Sequence, residues 1–128
     1  MTRARSAPAG RDLATLFEAG AVGGGDDAEL LRTFAGGPGT AAGEAAFRAI
    51  LARHGPMVLG VCRRVVGDYH AADDAFQATF VILARKAHSV WVDGSLGGWL
   101  YGVSSRVARR ARAVGRAARL RTRDVNGI

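Results

Sequence analysis

The last long stretch of helical spacing constrains this chain more than any other feature, because it carries two opposed faces. Leu96, Trp99, Leu100, Val103, Val107, Ala111 and Val114 recur at three- and four-residue steps and form an apolar stripe. Arg106, Arg109, Arg112, Arg116, Arg119 and Arg123 step in the same way around the other side. A segment patterned like this docks one face on a core and offers a guanidinium ridge from the other. The charge follows the same division. Residues 1–105 hold ten basic and ten acidic side chains and cancel, whereas residues 106–128 hold eight arginines and one aspartate, so the net charge of +7 lies there. A guanidinium forks two hydrogen bonds to phosphate and keeps its charge. The segregation therefore points to a polyanionic partner, nucleic acid first, over a merely solvated basic face.

With 128 residues the chain has room for one domain and its tails. Its lone cysteine, Cys62, excludes an internal disulfide and fits a reducing compartment. It falls on an apolar helical face and reads as a buried structural thiol. No apolar run approaches the roughly 18 residues of a membrane span, and the N-terminus lacks the apolar segment of a signal peptide. The expectation is a cytoplasmic protein with no membrane contact.

Residues 1–25, rich in Ala, Gly, Arg and Pro and ending in Gly23-Gly24-Gly25, read as a disordered leader. Order is expected from Asp26-Asp27, which can cap a short helix through Leu30, Leu31 and Phe34. Gly36-Gly37-Pro38-Gly39 ends it. From about Thr40, the positions Phe47, Ile50, Leu51, His54, Val58, Val61, Cys62 and Val65 keep helical spacing to Val66. Gly55-Pro56 predicts a kink or a split in the middle. Gly67-Asp68 is a stop and a restart. The next helix, roughly His70 to Ala87, buries Ala75, Phe76, Thr79, Phe80 and Leu83, with Asp73, Asp74 and Gln77 on its other side. A loop runs from His88 to Gly94, and Ser95 caps the basic helix. No β-alternation of useful length is present. The fold class is all-α, a small bundle of about four helices spanning residues 26–117, with a basic tail at 118–128 that frays.

Enzymatic chemistry finds little support. His54, His70, His88 and Cys62 show no metal-ligand spacing, so neither a metal nor a cofactor is expected. Adjacent Asp73 and Asp74 point about 100° apart on a helix and cannot readily share one substrate. Gly94-Ser95-Leu96-Gly97-Gly98 has no preceding strand and no following lysine, so it is not a Walker loop. The aromatic residues say more. His88, Trp91, Trp99 and Tyr101 bring rings close in sequence to the arginines, the combination that binds unpaired bases, at about 1–3 kcal/mol per stacked base. Trp99 sits on the apolar stripe and reads as core, while Trp91 in a polar loop reads equally as surface or as a binding ring.

Asp73-Asp74-Ala75-Phe76-Gln77-Ala78-Thr79-Phe80, followed by Leu96-Gly97-Gly98-Trp99-Leu100-Tyr101-Gly102-Val103, resembles region 2 of bacterial RNA polymerase sigma factors, most closely the extracytoplasmic-function group. Arg53-His54-Gly55-Pro56-Met57-Val58-Leu59-Gly60-Val61-Cys62-Arg63-Arg64 looks like that group's preceding helix. The resemblance covers about residues 27–115. It implies an all-helical, non-enzymatic domain that docks on the clamp helices of the largest subunit of core RNA polymerase. Such a domain captures bases of the minus-ten promoter element on the non-template strand.

Carried over, Asp73, Asp74 and Gln77 fall on the polymerase-docking helix. The loop from His88 through Trp91 to Ser95 falls where an extruded base is held. Ser105, Arg106, Arg109 and Arg110 fall on the helix that faces promoter DNA, and Arg112 and Arg116 continue its ridge. The chain departs from the family's common pattern at Ala71 and Ala78, where acidic residues are frequent, and at Ser105-Arg106, where many members carry Arg then Asn. An anti-sigma factor is left open as a further partner. The reading is of region 2 alone, with no counterpart of region 4 expected within these residues. That expectation keeps two rivals in view: a truncated module that occupies the polymerase clamp without initiating, and a non-specific nucleic-acid binder.

Overall fold

The computed structural model describes residues 25–126, with side chains through Arg123. All but the last residue of the expected leader lies outside the described residues. Among the described residues four helices follow one another: α1 (Asp27–Gly36), α2 (Ala41–Val66), α3 (Tyr69–Lys86) and α4 (Gly97–Asn126). No strand occurs among the described residues, so the class is all-α as the spacing predicts.

Local chemistry sets the helix ends. Asp26 caps α1, its Oδ1 accepting the Glu29 N–H at 2.9 Å. Thr40 does the same for α2, its Oγ1 accepting the Gly43 N–H at 3.0 Å while the hydroxyl donates to the Gly37 carbonyl. This turn is tight. A Cβ at Gly43 would stand 2.0 Å from the Gly37 carbonyl oxygen, a backbone atom that cannot swing away. Gly67, at φ +83°, closes α2 with its N–H on the Arg63 carbonyl at 3.1 Å. Asp68 then opens α3, its Oδ2 accepting the Ala71 N–H at 2.8 Å.

Pro56 does not split the second helix, which is continuous from Ala41 to Val66. Proline removes the hydrogen bond to the Ala52 carbonyl. Both Ala52 and Pro56 are exposed, so water can serve that carbonyl.

The chain divides into two compact units. Among the described residues, one takes 25–56 together with Leu83–Leu96, and the other takes Met57–Ile82 with 97–126. In the first, Leu30, Leu31, Phe34, Ala46, Ile50, Leu83, Ala87 and Leu96 are buried, and Phe34 packs on Phe47 with ring centroids 4.7 Å apart. In the second, Val58, Val61, Cys62, Ala72, Ala75, Thr79, Phe80, Leu100, Val103 and Ala108 are buried. Burial raises the Cys62 thiol's pKa, which keeps it in the unreactive thiol form.

The apolar stripe of α4 is covered for only part of its length. Leu96, just ahead of the helix, and Leu100, Val103 and Ala108 are buried, Trp99, Val107 and Ala111 are half-buried, and Val114 is 62% exposed. Val114 is thus not core. Periodicity identifies the apolar face of a helix, but burial needs a second element opposite it. The helix itself persists through residues 118–126, the stretch expected to fray.

Candidate nucleic-acid interface

The exposed side of α4 is a ridge of cations. Arg106, Arg109, Arg110, Arg112, Arg116, Arg119, Arg121 and Arg123 are all exposed. Among the described residues none of them belongs to an ion pair. Like charges four apart, such as Arg106 and Arg110 or Arg112 and Arg116, repel by a few tenths of a kcal/mol each. The ridge is therefore a surface that an anion relieves. From Arg106 to Arg123 the helix rises about 25 Å, long enough to follow several phosphates. Ser105 is half-buried at the ridge's edge, Tyr101 is exposed and Trp99 half-buried in the first turns of the same helix.

The loop between α3 and α4 presents a second feature. Its start is fastened to the Lys86 carbonyl, which accepts the Ser89 N–H at 2.9 Å and the Val90 N–H at 3.1 Å. Gly94 turns at φ +90°. His88 and Ser95 are exposed, and Trp91 is 86% exposed. An indole is a large apolar surface that proteins ordinarily cover.

Asp27 is the feature that sequence reasoning missed. Asp26 and Asp27 read as a pair of caps, but only Asp26 caps, and Asp27 is turned inward at 2% exposure. Its Oδ1 accepts from Arg53 Nη1 at 2.8 Å, and its Oδ2 takes both His54 Nε2 at 2.7 Å and the Leu96 N–H at 2.6 Å. Burial pushes this carboxyl's pKa up, but the Leu96 N–H, the His54 ring and the Arg53 guanidinium outweigh it and hold it below the usual carboxylate value. An ionised carboxylate only accepts, so His54 Nε2 carries the hydrogen. The available signal was three charged or polar residues on otherwise apolar faces, with nothing to say that they meet.

On α3 the structure separates the two aspartates. Asp74 and Gln77 are exposed, while Asp73 is half-buried a third of a turn away. Val81, seven residues after Asp74 and four after Gln77, continues that outer face at 47% exposure. Sequence reasoning passed over it, although its helical register with Gln77 was readable.

Among the described residues no cluster of His, Cys, Asp and Glu could hold a metal ion, and no helix is long and apolar enough to cross a membrane. No curated protein and no solved structure matches the chain. The model of the Sigma-70 region 2 family matches residues 50–119, more than half of the sequence, from the middle of α2 through the ridge of α4. The chain belongs to the Sigma-70 region 2 family.

Proposed function

We propose that this chain is the region 2 domain of an extracytoplasmic-function type sigma factor, working in the bacterial cytoplasm. It binds core RNA polymerase on the clamp helices of the largest subunit and captures the unpaired non-template strand of the minus-ten element. The observation that carries the reading is Trp91, an indole left 86% exposed on a loop fastened at its start to the end of α3. Such a ring has a face on which a base can stack, worth about 1–3 kcal/mol. The arginines of α4 supply phosphate contacts, led by Arg106, Arg109, Arg110, Arg112 and Arg116. Ser105 borders them, and His88 and Ser95 flank Trp91 in the loop.

The domain performs no covalent chemistry. Contacts made only to the open strand shift the duplex toward melting. Unstacking costs a few kcal/mol, which one or two stacked bases and their phosphates offset. Asp74 and Gln77, with Asp73 beside them, serve the polymerase.

Gel filtration with purified core polymerase tests the docking half. The parent co-elutes, and the Asp74→Arg, Gln77→Ala double variant does not. Co-elution of both alike removes α3 from the docking surface.

A further inference from the structure

Asp27 stands outside the stretch matched by the family model, and the proposed strand-binding surface makes no use of it. Yet it ties together three parts of the first unit. It sits at the start of α1, its partners Arg53 and His54 lie on α2, and its third partner is the N–H of Leu96, the last residue before α4. Arg53 also reaches the Gly25 carbonyl through Nη2 at 3.1 Å, which fixes the guanidinium that fixes the carboxylate. Three donors converge on two oxygens. Only an ionised carboxylate offers enough acceptor positions for that, because an amide has one oxygen and a hydroxyl must share its own proton.

A buried ion pair is weak evidence of stability, since removing charges from water costs about as much as their attraction returns. What this one supplies is a fixed point. The Trp91 loop is held at its start by the Lys86 carbonyl and at its end by Asp27, with the Leu96 side chain fully buried beside that second anchor. Trp91 lies between the two.

We propose that Asp27 is a positioning residue for strand recognition: from α1 it holds the end of the Trp91 loop at Leu96, so that the loop meets single-stranded DNA already ordered. A loop released at that end must be ordered again when the base stacks, and binding weakens by that cost. This inference rests on the reading of the loop as the strand-binding site.

The probe is a short labelled DNA strand, selected from a random single-stranded pool against the complex of this chain with core polymerase. Asp27→Asn keeps the shape but loses an acceptor. Leu30→Ala, a buried α1 residue with no part in the clamp, is a control for plain loss of stability. Both are measured cold, with helicity matched to the parent. In Asp27→Asn the Leu96 amide exchanges its hydrogen at least about tenfold faster. The strand binds about tenfold more weakly, and co-elution with polymerase is unchanged. Leu30→Ala binds the strand as the parent does.

If Asp27→Asn does not fold, an ester in place of the peptide bond between residues 95 and 96 removes the Leu96 donor, at the cost of a weaker Ser95 carbonyl acceptor, leaves Asp27, Arg53 and His54 in place, and gives the same loss. Strand affinity within about twofold of the parent in Asp27→Asn or in the ester overturns the proposal. So does a Leu30→Ala loss as large as that of Asp27→Asn. A parent that binds no strand overturns the reading of the loop itself, and the Leu96 exchange rate then still decides whether the clamp exists.

Discussion

Asp27 and Trp91 are opposite anomalies, a charge taken inward and an indole left outside. Each sets a measurable expectation. Removing Trp91 deprives the core of nothing, so Trp91→Ala changes unfolding free energy by less than about 0.5 kcal/mol. Its affinity for the selected strand falls by about 1–3 kcal/mol, and a urea titration beside a binding isotherm checks both. Asp27 behaves in reverse. Its carboxyl is held below the usual value of about 3.9. A lowered carboxylate contributes stability that is fully present above that value and is lost as pH falls through the folded one. The parent is therefore more stable than Asp27→Asn near neutrality, by about 3 kcal/mol, because the substitution removes the carboxylate charge that faces the Arg53 guanidinium. The gap narrows as pH drops below about 4, and urea titrations at neutral and acid pH measure it. A constant gap would show that the Asp27 charge takes no part in folding. Neither anomaly was fully legible in the sequence. The partners of Asp27 lie 26, 27 and 69 residues away, and no local pattern announces a contact at that separation. Trp91 was visible as an aromatic residue in a polar loop, but whether its ring is covered depends on packing.

At the level of the helix and the turn, caps and glycines carried most of the information. Gly36-Gly37-Pro38-Gly39 and Gly67-Asp68 break the chain where the spacing predicts. Gly43 was silent, because its role depends on how closely the Gly37 carbonyl approaches. Gly43→Ala forces that backbone apart and destabilises the domain by about 1–3 kcal/mol, read from the denaturation midpoint. Of the kink or split expected at Gly55-Pro56, the split does not occur, since an exposed carbonyl tolerates the missing hydrogen bond. Charge segregation on α4 was readable in full, and its exposed face is the one the spacing assigns to arginine. Only the reach of the buried stripe was not, as Val114 shows. The ridge has a thermodynamic signature of its own. Removing one phosphate-contacting arginine, Arg109→Ala or Arg112→Ala, lowers the slope of log affinity against log salt by about 0.7 for a single strand. An unchanged slope in both would take these arginines off the phosphate path.

For the whole molecule, the segregation of charge and the family agree. Net charge concentrated in one helix favours a polyanion, and Sigma-70 region 2 supplies a reason for one. On the proposed function, the domain binds open promoter DNA better than closed. The direct measurement is the affinity of the polymerase complex of this chain for the selected strand alone and for the same sequence as a duplex, at one salt concentration. The unpaired strand is expected to bind at least about tenfold more tightly, and Trp91→Ala to remove most of the difference. Equal affinity for the two forms, with the arginines still required for both, would contradict it and leave a basic helix that reads only phosphate.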